Sequence, residues 1–217
     1  MISALLRLIF PPKCLFCRKV LLPGEQDICK QCQTETEEFP KSKFKISFVA
    51  GWTALWYYKG NIRNSILRFK FRNVRSYGKT YGRLLAQHLP DAQIPVWDIL
   101  TWAPISAGRK LSRGYDQVEL IAKAMGQQLG ISPVRTLKKI RHTPPQSGIA
   151  EFSSRKANVL GAYRISPNID VAGKRILLLD DVITTGATVS ECARVLLTAG
   201  AKEVYCIALA AASHDKK

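Results

Sequence analysis

The run from Lys174 to Thr188 constrains the fold of this chain more than any other part of the sequence. It begins with the apolar residues Ile176 to Leu179, continues through the adjacent carboxylates Asp180 and Asp181, and ends in a turn rich in hydroxyls and glycine. An unbroken β-prone run is typical of a strand buried on both faces of a parallel sheet. A helix-like stretch from Val189 to Thr198 follows. The segment therefore predicts a strand–turn–helix unit.

The turn after the two carboxylates has the composition of an anion site. In open α/β sheets, ligands lie at the carboxyl ends of strands, where Asp180 and Asp181 are expected. A helix start then offers backbone N–H groups and hydroxyls for a phosphate from Thr184, Thr185, Gly186, Ala187 and Thr188. Carboxylates beside a phosphate cradle suit a sugar phosphate. The alternative is that the two acids end a strand and the turn only caps a helix.

The same segment resembles the phosphoribosyl-pyrophosphate (PRPP) loop of the type I phosphoribosyltransferases. The resemblance implies an α/β fold with a parallel sheet flanked by helices. It also implies that Asp180 and Asp181 hold the ribose hydroxyls, that Thr184 to Thr188 wrap the 5′-phosphate, and that Mg²⁺ is bound with PRPP. It does not imply catalysis, because some regulators keep this loop without doing chemistry.

Four of the six cysteines form two Cys-x-x-Cys pairs, Cys14 with Cys17 and Cys29 with Cys32. This spacing predicts a Cys₄ zinc ribbon, with a turn at Pro23-Gly24 between the pairs. Since four thiolates complete the coordination, the zinc is expected to be structural, and it would supply the folding energy of so small a region. Disulfides are the alternative, although nothing marks the chain as secreted.

Cys192 and Cys206 lie in apolar patterns and are expected in the core. The chain of 217 residues predicts two units: residues 1–45 as the ribbon with its leader and linker, and residues 46–217 as the phosphoribosyltransferase-like domain. No apolar run is long enough to span a membrane, and the start does not read as a signal peptide. We expect a cytoplasmic protein whose first ten residues form a short amphipathic docking helix, with peripheral contact to the inner membrane as the alternative.

The charge is high and unevenly spread, with a formal net value of +17. Between Phe39 and Pro90 there are eleven Lys or Arg residues and no Asp or Glu. Such a field favours a polyanionic partner, and nucleic acid is the leading candidate. The alternative is a basic surface without a specific partner. The candidate contacts are Lys59, Arg63, Arg68, Lys70, Arg72, Arg75, Lys79, Lys110 and Arg113.

Aromatic residues are interleaved with these cations. Most of them are expected in the core, and any exposed ring would be available to stack on bases. The set comprises Trp52, Trp56, Tyr57, Tyr58, Phe69 and Phe71. Because few residues follow Ala210, the hood over the acceptor base that the family usually builds from a chain end would come from residues 46–90, a basic hood-like subregion.

Apolar patterning and turn residues predict the remaining elements. Strands are expected at Phe48–Tyr58, Val96–Ala103, Val134–Ile140, Gly161–Ile165 and Glu203–Ala210. Helices are expected around Ile62–Phe69, at Tyr77–Leu89 and at Gln117–Leu129, the last ending at Gly130. Residues 104–117 and 141–157 read as loops.

The two loops carry cations where the resemblance places the pyrophosphate loop and a catalytic lid. Arg109 and Arg141 are the expected catalytic residues, and Gln146 and Arg155 would close on the pyrophosphate with Arg141. The chemistry would be displacement of pyrophosphate from C1 of the ribose, which depends on neutralising the charge of the leaving group.

The order of motifs is also similar to the ComF family of competence-associated, phosphoribosyltransferase-like proteins. The matching features are the ribbon, Lys70-Phe71, the run Arg113-Gly-Tyr-Asp-Gln117, Arg141-x-Thr-x-x-Gln146 and Asp180-Asp181-Val182. The family shows Asn where this chain has Asp116, which leaves the role of that position open. The resemblance implies a function in DNA uptake during natural transformation, acting on single-stranded DNA beside the uptake machinery at the inner face of the membrane.

Two functions of different classes follow. In the first, the chain binds single-stranded DNA, with PRPP or a related sugar phosphate as ligand. In the second, it is an active phosphoribosyltransferase that transfers ribose 5-phosphate from PRPP to an unidentified nitrogen base. The basic, aromatic composition of residues 46–90 favours the first.

Overall fold

A four-stranded parallel sheet organises this computed structural model, which describes residues 11–40, 44–141 and 159–213. Strands β1 (Gly51–Tyr57) and β2 (Ile99–Trp102) are its edges. A separate antiparallel pair is formed by β3 (Leu137–Lys139) and β4 (Tyr163–Ile165). With β5 (Arg175–Ile183) and β6 (Glu203–Ala211), the sheet order is β1-β6-β5-β2, and every neighbouring pair is parallel. All four strands therefore end at one edge.

The helices cover both faces of this sheet. Their bounds, in chain order, are α1 Lys30–Glu35, α2 Gly60–Phe71, α3 Tyr77–His88, α4 Ala107–Arg113, α5 Gln117–Leu129 and α6 Ala187–Thr198. A 3₁₀ turn, Leu89–Ala92, follows α3. Buried residues of α2, α3 and α5 share one core cluster with Leu177 and Leu179, and those of α6 share the other with Ile176 and Leu178. This alternation along β5 follows from the two-residue period of a strand.

The zinc ribbon packs against the first of these core clusters. The ring of Phe16 meets that of Trp56 edge-on, with centroids 5.0 Å apart. Beyond α1 the chain runs antiparallel to β1, where the Phe39 N–H donates to the Leu55 carbonyl at 3.0 Å. This segment covers the outer edge of β1, which would otherwise expose unpaired backbone groups.

The predicted elements are found, each with bounds within three residues of those expected, and one helix falls where a loop was expected. Helix α4 lies in the stretch expected to be a loop. It buries none of its residues, so its sequence carries no apolar periodicity that would reveal a helix. The expected leader helix, Gln146 and Arg155 lie outside the described residues.

Residues 46–90 do not form a separate layer above the sheet. They supply β1 and the helices α2 and α3, and the residues of this region that line the ligand cleft described below are Tyr58, Leu67, Lys70 and Phe71. Their interpretation as a hood stays a prediction, as do the two domain boundaries. In the described part of the chain, no helix has the length and apolar character needed to cross a membrane.

Candidate functional site

Strand β5 carries the two adjacent acids to the carboxyl edge of the sheet. Asp180 is paired in register with Ala208 of β6, and both carboxylates are buried. Asp180 and Asp181 line an open cleft of about 480 Å³ beyond the strand ends. This is where ligands of open α/β sheets bind.

Asp181 is held by two side chains from distant parts of the sequence. Its Oδ1 accepts from Lys70 Nζ at 2.7 Å, and its Oδ2 accepts from Gln117 Nε2 at 2.8 Å. Gln117 Oε1 in turn accepts from Arg113 Nη1 at 2.9 Å, and the Arg113 guanidinium lies 4.8 Å from the centre of the Phe71 ring. The ion pair with Lys70 is shielded from solvent, so both partners are fixed in the cleft wall.

Asp180 is in a different electrostatic environment from Asp181. Burial, followed by the negative charge of Asp181, raises the pKa of Asp180 to about 8, although Lys70 acts in the opposite direction. The Asp180 Oδ1 accepts from the Asp181 N–H at 2.8 Å. Burial and the adjacent charge therefore favour the protonated form of Asp180, in which a carboxyl group can donate as well as accept a hydrogen bond.

The turn from Thr184 to Thr188 joins β5 to α6 as predicted. Gly186 is the N-cap of α6 and has φ +73°, a conformation that favours glycine. A Cβ at this position would lie 3.0 Å from Ile46 Cγ1, so glycine also allows close packing. The N-cap glycine offers no side-chain cap, and Thr185 Oγ1 accepts from the Ala187 N–H at 3.4 Å. The first turn of α6 begins at the cleft, and a helix N-terminus offers N–H groups to an anion.

Four cations line the cleft, contributed by α2, α4 and β3: Lys70, Arg109, Arg113 and Lys139. Burial, and then the charge of Arg109, lower the pKa of Lys139, whose Nζ lies 5.0 Å from the Tyr163 ring centre. Burial also lowers the pKa of Arg113. Such crowding of cations is stabilised when an anion binds between them.

Lys139 was missed by the sequence analysis. It lies on the three-residue strand β3, and no local pattern distinguishes it from its neighbour Lys138. Gln117 was identified only as part of a motif, and the sequence did not indicate which residue it contacts.

Asp116, where the similar family has Asn, caps helix α5. Its Oδ1 accepts from the N–H groups of Val118 at 3.0 Å and Glu119 at 3.2 Å, and its Oδ2 accepts from Ile105 at 3.1 Å. Asp116 therefore anchors both α5 and the loop that leads into α4. Its role is positional, since it orients the elements that carry Arg113 and Gln117.

The four predicted zinc ligands lie together. The sulfur atoms of Cys14, Cys17, Cys29 and Cys32 are all within 4.8 Å of one another, and Cys17 Sγ lies 3.7 Å from Cys29 Sγ. A tetrahedral ion with Zn–S bonds of about 2.3 Å requires sulfur separations of about 3.8 Å, so the set fits zinc.

The thiols of the cluster differ in their pKa: burial, and then the side chains of Cys17 and Cys29, raise the pKa of Cys32. Burial opposes ionisation of Cys14, but the N–H groups of Cys29, Cys17 and Phe16 outweigh it and lower the pKa of the thiol to about 7. Cys192 and Cys206 are fully buried elsewhere, in the core as predicted.

The predicted nucleic-acid contacts fall into three groups. Lys70 and Arg113 line the cleft. Arg68 is half-buried and donates to the carbonyls of Leu15 and Phe16 in the ribbon, so its guanidinium is not displayed on the surface. The remaining six cations are exposed: Lys59, Arg63, Arg72, Arg75, Lys79 and Lys110. Of these, Lys59 forms an ion pair with Glu37, and Lys110 forms one with Glu119.

The aromatic residues and Arg141 also differ in their exposure. Four of the six aromatic residues are buried as expected: Trp52, Trp56, Tyr57 and Phe69. Phe71 is 63% exposed at the rim of the cleft. Arg141 is exposed and donates to the Leu160 carbonyl at 2.6 Å, at the border of the described residues.

The sequence matches two described domain families. Residues 119–217 match the family "Phosphoribosyl transferase domain", and residues 5–44 match "Double zinc ribbon domain". These matches, with the observed sheet and the four clustered cysteines, confirm the predicted α/β phosphoribosyltransferase-type fold with an N-terminal zinc ribbon.

Known proteins named for competence and for DNA utilization are similar to this chain. Competence protein F of Haemophilus influenzae is 27% identical over 224 residues, which cover 92% of this chain and 97% of that protein. DNA utilization protein YhgH of Salmonella typhi is 30% identical over 147 residues, which cover 64% of this chain and 63% of the relative. Among solved structures, glutamine PRPP amidotransferase from B. subtilis matches with TM-score 0.41 and 25% identity, covering 62% of this chain and 26% of that chain.

Proposed function

We propose that this chain, a phosphoribosyltransferase-like protein of the ComF type, acts in DNA utilisation by binding PRPP or a related sugar phosphate in its cleft and single-stranded DNA on the adjoining basic surface. The similar proteins are named for competence and DNA utilisation, which supports the biological setting. The cleft itself carries the proposal for the sugar phosphate.

The observation that carries the proposal is the meeting of two acids, the start of helix α6 and four cations in one cleft. In the proposed complex, Thr184 to Thr188 bind the 5′-phosphate and Asp180 with Asp181 bind the ribose hydroxyls. Lys70, Arg109, Arg113 and Lys139 neutralise the pyrophosphate.

Mg²⁺ is proposed to accompany PRPP. Magnesium sites commonly combine one or two carboxylates with substrate phosphates, and the acids beside the cationic cleft fit that donor set. When bound, the ion would neutralise phosphate charge.

The proposed path of the DNA strand follows the exposed cations beside the cleft. Arg72 and Arg75 follow α2, and Lys79 lies on α3. Phe71, exposed at the rim, offers a ring on which a base can stack, while the cations track the phosphates without reading sequence. We propose that binding occurs in the cytoplasm, at the inner face of the membrane beside the uptake machinery.

An active transferase is the second candidate, because the same cations would stabilise pyrophosphate as it leaves. The bond from C1 to the pyrophosphate oxygen would break with its electron pair going to the leaving group, and a bond from the base nitrogen to C1 would form. The base would lose its proton to solvent. Arg109 is the proposed residue facing the leaving group, with Arg141 assigned the same role on the adjoining loop.

Calorimetry with PRPP and Mg²⁺, followed by an assay for released pyrophosphate, tests the proposal. We expect measurable heat for the wild type and its loss in the double variant Asp180→Asn, Asp181→Asn. Pyrophosphate release that depends on an added nitrogen base would favour the transferase. Binding without release, together with a shift of a labelled single-stranded oligonucleotide, would favour the binding protein. A wild type that gives neither heat nor a thermal shift with PRPP would overturn the assignment of the cleft.

A further inference from the structure

Helix α2 contacts the zinc ribbon and the ligand cleft within its last two turns. Ser65 and Arg68 face the ribbon, whereas Leu67, Lys70 and Phe71 line the cleft. Since each helical residue advances about 1.5 Å, the contacts of Arg68 and Lys70 begin only about 3 Å apart along the axis. A change at one side is therefore transmitted to the other through a single helical turn.

On the ribbon side, Arg68 holds the loop between the first two zinc ligands. Its Nη2 donates to the carbonyl oxygens of Leu15 at 3.0 Å and Phe16 at 2.5 Å. Leu15 and Phe16 are the two residues between Cys14 and Cys17. A metal ion bound by Cys14 and Cys17 would fix the positions of these carbonyls.

A second side chain strengthens the same attachment. Ser65 Oγ lies 2.6 Å from the Leu15 carbonyl and 2.6 Å from the Tyr81 hydroxyl, and both Ser65 and Tyr81 are fully buried. Buried hydrogen bonds of this kind are costly to break, because the separated groups find no water. The last two turns of α2 are therefore fixed relative to the cysteine loop.

On the cleft side, the same helical turn supplies the cation that holds Asp181. Lys70 is 17% exposed and pairs with Asp181 Oδ1 at 2.7 Å. Between Arg68 and Lys70, the buried Phe69 offers its carbonyl to the Tyr115 hydroxyl. The backbone at this point has little freedom to absorb a displacement, so the ribbon attachment and the Lys70 contact move together.

We propose that Arg68 is a positioning residue that couples the zinc loop to the ligand cleft. By binding the carbonyls between Cys14 and Cys17, it sets the last turn of α2 and thereby the place of Lys70 beside Asp181. The zinc ribbon then regulates the affinity of the cleft for its anionic ligand. This inference rests on the proposed function for its ligand, and assigns Arg68 a role other than DNA contact.

A double-mutant cycle between the two positions tests the coupling. Arg68→Met keeps the aliphatic stem and removes the donors, and we expect PRPP with Mg²⁺ to bind about five- to tenfold more weakly. In a Lys70→Met background, the same change should alter affinity by less than about twofold, because Arg68 acts through Lys70. Arg68→Lys should restore part of the affinity.

The matched control is Arg83→Met. Arg83 forms an ion pair with Asp27 and so also joins the ribbon to the other domain, but from α3 and without contact to Lys70. We expect Arg83→Met to leave PRPP affinity within about twofold of wild type, with zinc content near one ion per chain in all variants. Equal losses of PRPP affinity in Arg68→Met and Arg83→Met would overturn the proposal. So would additive losses of affinity for Arg68→Met and Lys70→Met in the cycle.

A second readout requires no ligand. Acylation of lysines by an N-hydroxysuccinimide ester, followed by mass spectrometry, reports how well each amine is protected. Arg68→Met should increase the labelling rate of Lys70, while that of Lys139, a half-buried lysine of the same cleft on β3, stays unchanged. Unchanged labelling of Lys70, or an equal increase at both lysines, would refute the coupling even in a protein that binds no PRPP. Absence of PRPP binding by the wild type would instead reject the proposed function.

Discussion

At the scale of single residues, the two adjacent acids differ in what surrounds them. Asp181 is neutralised by Lys70 and hydrogen-bonded to Gln117, whereas Asp180 is buried next to the charge of Asp181. The sequence predicts that two acids end β5 at the ligand edge. It does not predict the partners of Asp181, because these come from residues 111 and 64 positions away along the chain.

The raised pKa of Asp180 predicts a pH-dependent cost to stability. Between a pH of about 4 and about 8, the unfolded chain has released this proton while the folded chain still holds it, so rising pH favours unfolding. Asp180→Asn removes the titration. Its free energy of unfolding, relative to wild type, should therefore increase from pH 5 to pH 8 and then level off.

Urea unfolding at several pH values measures this difference. Asp91→Asn, which removes an exposed carboxylate, is the control and should track the wild type. If the difference between Asp180→Asn and wild type stays constant over this range, Asp180 is not protonated in the folded protein at neutral pH.

At the scale of elements, contiguous patterns were predictable and contacts between elements were not. The β5–turn–α6 unit is continuous in sequence, so its strand, acids and glycine could be identified together. Helix α4 escaped prediction because it buries no residue, and Lys139 because its strand has three residues. The sequence does not distinguish Arg68 from its basic neighbours, because its contacts with the ribbon form only where the ribbon packs against α2.

The packing of α3 on α5 depends on a glycine. A Cβ on Gly82 would lie 2.5 Å from Ala124 Cβ and 2.6 Å from the backbone nitrogen of Met125. Gly82→Ala should therefore force the helices apart and destabilise the fold by about 1–3 kcal/mol. Gly108→Ala in the exposed helix α4 meets nothing within 4 Å, and should instead stabilise by about 0.5–1 kcal/mol. In urea denaturation, Gly82→Ala should lower the free energy of unfolding and Gly108→Ala should raise it. An unchanged free energy of unfolding in Gly82→Ala would contradict the close approach of α3 and α5.

The ribbon is predicted to require its metal. Cys17→Ser removes one of four thiolates and should lower both zinc content and solubility, because so small a region depends on the ion for its folding. Metal analysis by mass spectrometry measures the zinc content. Cys192→Ser, at a core position distant from the site, is the control and should keep one zinc per chain. Purified wild type without zinc and with four free thiols would contradict the assignment.

At the scale of the whole molecule, the positive charge is divided between a cleft and a surface. Lys70, Arg109, Arg113 and Lys139 line the cleft, whereas Arg72, Arg75 and Lys79 are exposed and lie outside its lining. The sequence predicts the excess of positive charge. It does not show which cations line the cleft and which are exposed, because neighbouring residues of α2 face different surroundings. This division makes the two proposed ligands separable by mutation.

The exposed set should control binding to single-stranded DNA and its dependence on salt. If about five phosphates are contacted, the slope of log affinity against log salt should be about −3 to −4. Charge reversal at Arg72 and Arg75 should flatten the slope while PRPP binding is retained. Reversal at Lys174 and Lys202, which are exposed where β5 and β6 begin, is the control and should have a smaller effect.

Fluorescence anisotropy of a labelled oligonucleotide across a salt series measures the slope. Equal flattening by the two pairs of reversals would show that net charge, rather than this surface, governs binding. A wild type that does not bind at low salt would remove the nucleic-acid proposal and favour the transferase.

The central claim is that a sugar phosphate binds at the turn between β5 and α6, and backbone NMR tests it most directly. During titration of the ¹⁵N-labelled protein with PRPP and Mg²⁺, the amide signals of Thr184 to Thr188 should shift progressively and saturate. Signals of Lys174 and Lys202, at the opposite edge of the sheet, should stay in place. If the signals of the turn remain unmoved at millimolar PRPP, the cleft is not the site of the sugar phosphate.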